Sequence, residues 1–229
     1  MRGRANEQRT QTLAVALTGL PAALLALRFV SGGIGADPIK DLTHTTGDWA
    51  LRFVFVSLAI TPLRRFTGWR FLAPLRRTFG LAGFAYAVAH MLTWLALDLG
   101  FDPAAVAEDL SERPYVMAGM TSFLILSALA LTSTRSAMKR LGRRWLTLHR
   151  LVYAAAPLAL VHHFWLIKAD YRPALVHAAI LASLVGARLL WHFREARPGP
   201  LERTRLPPVP DERILPHRPG PRRPFPPAE

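Results

Sequence analysis

No cysteine occurs among the 229 residues. Disulfides, thiolate metal sites, thiol nucleophiles and covalent CxxCH cofactor attachment are therefore excluded. Acids are scarce where they would matter most, because the long apolar stretches carry no carboxylate except at their ends. Proton and metal transport paths usually place carboxylates inside the membrane, so this scarcity argues against a transporter built on the same residues. No dinucleotide fingerprint is present either: glycines 32, 33 and 35 neither follow a strand nor open a helix, and they read as a loop. A nicotinamide domain, a repeat at any helical-array period and a soluble stretch long enough to fold separately are all missing.

What remains is 51% hydrophobic, with a net charge of +14 and arginine clusters set between apolar runs. Basic residues that alternate with apolar spans, instead of lining one face, are explained by membrane topology and not by nucleic acid. The sequence therefore reads as all-α, a polytopic bundle of six transmembrane helices in contact with lipid. A bilayer core needs about 20 apolar residues per helix, and the candidate spans are 13–30, 49–63 (short, ending at Pro62), 79–97, 115–134, 146–167 and 173–193. Residues 1–12 form the N-terminal segment. Arg2, Arg4 and Arg9 before an apolar run resemble a signal peptide, but no small-residue cleavage site follows, so the first span reads as retained. From 194 to 229 the chain is crowded with proline and carries eight basic residues; such a composition cannot bury enough apolar surface to order itself and reads as a disordered tail.

Orientation follows from the loops. Arg64, Arg65, Arg70, Arg76 and Arg77 lie between spans two and three, and Arg135, Lys139, Arg140, Arg143 and Arg144 between spans four and five. The positive-inside rule puts both loops and both termini in the cytoplasm. The opposite loops, "GGIGADPIKDLTHTTGD" and "DLGFDPAAVAEDLSERP", hold most of the acids and face outward.

The chemistry lies in the histidines. Histidine is costly in hydrocarbon unless its ring nitrogens find partners, yet "LHRLVYAAAPLALVHHFWLIK" holds His149, His162 and His163. His90 sits on span three, beyond its middle when counted from the cytoplasm. Span five also enters from inside, which puts His149 at its inner end and His162 about 20 Å further out at 1.5 Å per residue. His90 and His162 thus share a depth toward the outer side, where two facing imidazoles are what a six-coordinate b-type haem requires. Thirteen residues before His90 stands Arg77, not a second histidine, so His149 has no histidine partner at its own level. On an ideal helix His163, not His162, shares a face with His149, but Pro157 intervenes and disturbs the phase. Hydrogen bonding to a carbonyl on a neighbouring helix is the competing role for a membrane histidine, most of all for His163. His177 and His192 lie near the two ends of span six, where an interfacial role is expected over ligation; His44 is in the outer loop, either solvated or near a quinone or cofactor edge; and His217 belongs to the tail. The arginines are chiefly topogenic, with Arg76, Arg77 and Arg150 also placed to pair haem propionates or a flavin phosphate.

Five runs carry a resemblance: "GGIGADPIKDLTHTTG", "ITPLRR", "RRTFGLAGFAYAVAHMLTW", "RPYVMAGMTSFLILSALALTST" and "GRRWLTLHRLVYAAAPLALVHHFWLIK". In this order and spacing, over about 32–191, the chain resembles the haem-binding membrane subunits of the bacterial periplasmic methionine-sulfoxide reductase system, within the ferric-reductase-like transmembrane family. The resemblance places the family's haem histidines on His90, His149 and His162, choosing His162 over His163. It implies one or two haems b, with His90 and His162 as axial ligands and His149 serving a second haem. It further implies electron transfer across the bacterial inner membrane. Electrons would come from the quinone pool, or from a cytoplasmic flavin reductase with FMN on the membrane subunit, and pass to a periplasmic molybdopterin-containing methionine-sulfoxide reductase that repairs oxidised proteins. No catalytic residue is implied in this chain. The alternatives are a stand-alone ferric or quinone reductase and, further off, a histidine-based metal or proton transporter. The outer loops at 31–48 and 98–114, with Asp102, Glu108 and Asp109, are the expected docking surface.

Overall fold

The computed structural model describes residues 2–33, 35–166 and 171–195. Of the expected disordered tail, the part from 196 on, with His217, lies outside them, as does 167, the last residue of the fifth predicted span. One unit runs to Leu189; a second begins at Leu190, and its described part, 190–195, is the end of the last helix.

Among the described residues the chain is a succession of helices. The first are α1 (Arg2–Val30), α2 (Pro38–Thr67) and α3 (Leu75–Leu92), the last prolonged by a wider π-helical stretch over Thr93–Asp98. A short α4 (Pro103–Glu112) leads into α5 (Pro114–Leu131). Two short helices, α6 (Arg135–Leu141) and α7 (Arg143–His149), precede α8 (Val152–Leu166) and α9 (Arg172–Glu195).

Several boundaries depart from the sequence reading for local reasons. α2 starts at Pro38, not at 49, because proline is suited to the first helical turn and the Asp37 carboxylate accepts the Lys40 amide N–H at 3.0 Å. The supposed outer loop is therefore mostly helix, and His44 stands on α2. At its other end α2 runs through Pro62 to Thr67 and stops at Gly68, whose φ of 73° is the left-handed conformation that glycine adopts freely. The fifth predicted span is divided between α7 and α8. Pro157 has no N–H to return to the Tyr153 carbonyl. In the turns before it the helix is drawn tight, with i to i−3 bonds from Leu151 to Leu148, Tyr153 to Arg150 and Ala154 to Leu151 at 2.9–3.0 Å.

By length and composition four stretches among the described residues can cross a bilayer: Gln8–Val30, Arg70–Asp98, Pro114–Leu131 and Arg172–Arg194. α8, with 15 residues, is about 22 Å long at 1.5 Å per residue, short of a core about 30 Å thick. α2 carries Lys40, Asp41, Asp48 and Arg52 in its first half. α2 nevertheless has more buried residues than any other described helix. Leu51, Val54, Phe55 and Leu58 of α2 pack with Ala156 of α8 and Leu181 of α9, and Leu58 is only 2% exposed. A second cluster joins Ile60 of α2 to Ala14 of α1 and to Leu72 and Leu75. α1, by contrast, leaves Leu13, Leu17, Leu24 and Leu27 exposed, the surface a lipid-facing helix presents. Besides that cluster, a hydrogen-bonding side chain links it to α3: the Tyr86 hydroxyl donates to the Thr18 carbonyl and accepts the Ala22 N–H, both at 2.9 Å, thereby entering the α1 hydrogen-bond ladder.

Candidate haem site

His90 on α3 and His162 on α8 face each other with ring centroids 5.9 Å apart and ring planes at 77°. Each ring is fixed by a backbone carbonyl of a different helix. His90 Nδ1 lies 2.9 Å from the Thr43 carbonyl of α2, and His162 Nδ1 lies 2.7 Å from the Tyr115 carbonyl of α5. A carbonyl can only accept, so Nδ1 carries the proton in both rings and Nε2 keeps its lone pair. Neutral imidazoles with a free Nε2 and a bonded Nδ1–H are the form in which histidine ligates a metal.

Two glycines make this possible. A Cβ on Gly47 would stand 3.0 Å from His90 Nδ1, and one on Gly119 would stand 2.7 Å from His162 Nδ1 and 3.0 Å from its Cε1. Neither glycine stood out in the sequence, which held no sign of which helix face the imidazoles would meet.

The two histidines line a cavity of about 610 Å³ together with Leu51, Val54, Met120, Phe123 and Leu126 on its apolar walls. A volume in the range of small-molecule and cofactor pockets, with few polar groups placed among apolar ones, is what a prosthetic group needs. Two nitrogens binding one metal atom at about 2 Å each would hold their ring centroids about 6 Å apart. The residues present therefore fit a haem with two histidine ligands. Toward the mouth the cavity is lined by Lys40, His44, Asp98, Asp109 and Arg113. Asp109 is buried there, accepting from Trp94 Nε1 at 3.1 Å and paired with Arg113 at 3.2 Å. It is thus withdrawn from the docking surface expected of it, whereas Asp102 caps α4 and Glu108 is exposed.

His149 is placed elsewhere. Its ring stacks on Trp145 at 4.0 Å, its Nδ1 lies 3.1 Å from the Trp145 carbonyl of its own helix, and its Nε2 is buried without a partner. It lines a second cavity of about 260 Å³ with Arg76, Arg77, Gly80 and Met138. This inner cavity brings the expected Arg77 and His149 to one place, with no second histidine.

His163 lines the same cavity as His90 and His162, but its ring is engaged with groups other than that pair. Its Nδ1 is 3.6 Å from Asp48 of α2 and its ring meets His177 of α9 edge-on at 5.4 Å. His177 in turn lies against Phe55 and is buried, so its setting is the core and not an interface. The ring of His192 neighbours Phe193. Arg150 begins the tightened turns between α7 and α8.

Known proteins resemble this chain over most of its length. The family described as ferric reductase like transmembrane component matches residues 46–160, a segment that contains Gly47, His90, Gly119 and His149. A protein-methionine-sulfoxide reductase heme-binding subunit MsrQ from Azospira oryzae is 43% identical over 190 residues, covering 82% of each chain. The subunit of the same name from Ralstonia nicotianae is 40% identical over 83% of this chain and 90% of its own. That from Xanthomonas euvesicatoria pv. vesicatoria is 41% identical over 87% and 94%. No solved structure matches.

Proposed function

The chain belongs to the ferric-reductase-like transmembrane family, among proteins similar to the MsrQ haem-binding subunits, and we propose that it is an electron-transfer subunit holding a b-type haem between His90 and His162. The observation that carries this reading is the facing imidazole pair, each ring oriented by a carbonyl from another helix within one large apolar-walled cavity. A haem supplies reversible one-electron chemistry when bound. The protein's part is to hold it and set its electronics. Thr43 and Tyr115 fix the tautomer and make both ligands more basic, while the surrounding leucine, valine and phenylalanine side chains keep water away.

In the proposed arrangement the chain lies in the bacterial inner membrane with six spans and both termini inside. α2 and α8 complete the bundle beside the four stretches long enough to span it. Electrons come from the quinone pool or from a cytoplasmic flavin reductase, with FMN held at the membrane subunit. They leave at the periplasmic face to a molybdopterin-containing methionine-sulfoxide reductase, and this chain carries out no chemistry on methionine. Support for that direction comes from the acidic loops, which put the histidine pair toward the outside under the positive-inside rule. The inner cavity, with His149 and the cationic Arg76 and Arg77, is the proposed place for a second haem with a single histidine ligand or for an anionic flavin group.

The test is haem stoichiometry in the purified protein and in His90→Ala and His162→Ala. Each substitution is expected to remove most of the haem; full retention in both variants would exclude the pair as ligands.

A further inference from the structure

The two histidine settings are related by a constant interval. His90 is held by the Thr43 carbonyl with Gly47 against its ring, and His162 by the Tyr115 carbonyl with Gly119 against its ring. In both sets the carbonyl lies 47 residues before the histidine, and the glycine lies one helical turn after the carbonyl residue. Each member of the first set stands 72 positions before its counterpart in the second. The interval recurs one level deeper. A Cβ on Gly83 would stand 3.2 Å from the Ala50 carbonyl, and 72 positions later the Ser122 hydroxyl donates to the Ala155 carbonyl at 2.9 Å. α2 with α3 and α5 with α8 are thus two helix hairpins that meet at matching positions. Identity between them is too sparse to be visible as a repeat, but the contacts coincide.

We infer that Gly47 and Gly119 are positioning residues for the two haem ligands: the repeated juxtaposition of carbonyl, glycine one turn on, and imidazole sets ring orientation in each hairpin. The inference rests on the reading of His90 and His162 as ligands. Without a side chain at the glycine, the helix backbone comes close to the Nδ1 side of the imidazole, and the carbonyl one turn earlier reaches Nδ1. A methyl group there pushes the ring away, lengthens or breaks the hydrogen bond from Nδ1–H to the carbonyl, and turns Nε2 from the cavity. Alanine is otherwise the better helix former, so a loss of function at these sites cannot come from helix propensity.

The experiment compares Gly119→Ala and Gly47→Ala with Gly19→Ala and Gly186→Ala, two helical glycines with nothing within 4 Å of an added Cβ. Haem per chain, the low-spin signature in the electron paramagnetic resonance spectrum and the midpoint potential are measured on the full chain in detergent. Gly119→Ala, the tighter of the two, is expected to weaken haem retention by about tenfold to a hundredfold, as loss of an orienting partner does. Whatever haem remains is expected to show an altered low-spin signal that added imidazole restores. Gly47→Ala is expected to shift the signal and potential with less haem loss, and the two control variants to match the parent. If Gly119→Ala does not fold, Gly47→Ala decides. Parent-like haem content, spectrum and potential in the variant that decides would overturn the inference. If His90→Ala and His162→Ala meanwhile lose haem, the ligand reading stands and only the role of the glycines fails; if those two keep haem, the ligand reading fails first.

Discussion

Arg77 stands 72 positions before His149, the same interval that separates His90 from His162, and both residues line the inner cavity. The same 72-residue interval thus puts an arginine where this cavity lacks a second histidine.

Arg77→His is accordingly expected to supply an imidazole partner for His149. If the inner cavity takes haem, haem per chain or its low-spin fraction rises above the parent. An unchanged spectrum and stoichiometry in the folded variant would count against the inner cavity as a haem site.

His162→Ala and His163→Ala are expected to part company. The first removes the ring that faces His90; the second removes a ring engaged with Asp48 and His177. Haem should be mostly lost in the first and largely retained in the second, as measured by pyridine haemochrome. A greater loss at His163 would mean that α8 presents the other ring to the cofactor.

Tyr86→Phe tests the link between α1 and the hairpins that carry His90 and His162. Its hydroxyl bridges Thr18 and Ala22, but without it the Ala22 N–H can return to the Thr18 carbonyl in an ordinary helical bond. The expected cost is about 1 kcal/mol of stability, the usual net worth of one hydrogen bond, with no change in haem content. Loss of haem would show that α1 also sets the geometry of α3.

Glu108 and Glu112 lie one turn apart on α4, both exposed, in the loop assigned to the outer face. Charge reversal at both is expected to slow electron delivery to the soluble partner, most of all at low salt, where such contacts are least screened. Asp109→Lys is a different experiment, because it breaks the buried contacts to Trp94 and Arg113. Unchanged delivery in the Glu108→Lys/Glu112→Lys variant would move the docking surface elsewhere.

Much of this was legible in the sequence because histidine in an apolar run has few inexpensive uses. His90 and His162 could be placed at one depth by counting 1.5 Å per residue from the basic loops, and Arg77 with His149 at another. Rotation about the helix axis was not legible. Ideal phase favoured His163, yet the tightened turns from Leu148 to Ala154 and the break at Pro157 reset that phase before the histidines are reached. Boundaries failed where capping overruled polarity: Asp37 and Pro38 start α2 inside a stretch polar enough to read as loop. The glycines were invisible for another reason. Gly47 and Gly119 matter through what lies across from them on another helix, and hydrophobic periodicity carries no information about that.

The most direct measurement is a reduced-minus-oxidised absorption spectrum with haem quantification on the parent, His90→Ala and His162→Ala, expressed with ample haem supply. A low-spin b-type spectrum in the parent, lost or reduced to a minor remnant in both variants, is the result expected of a cofactor held between these two rings. A parent without haem, or two variants with the parent's spectrum and stoichiometry, would contradict it.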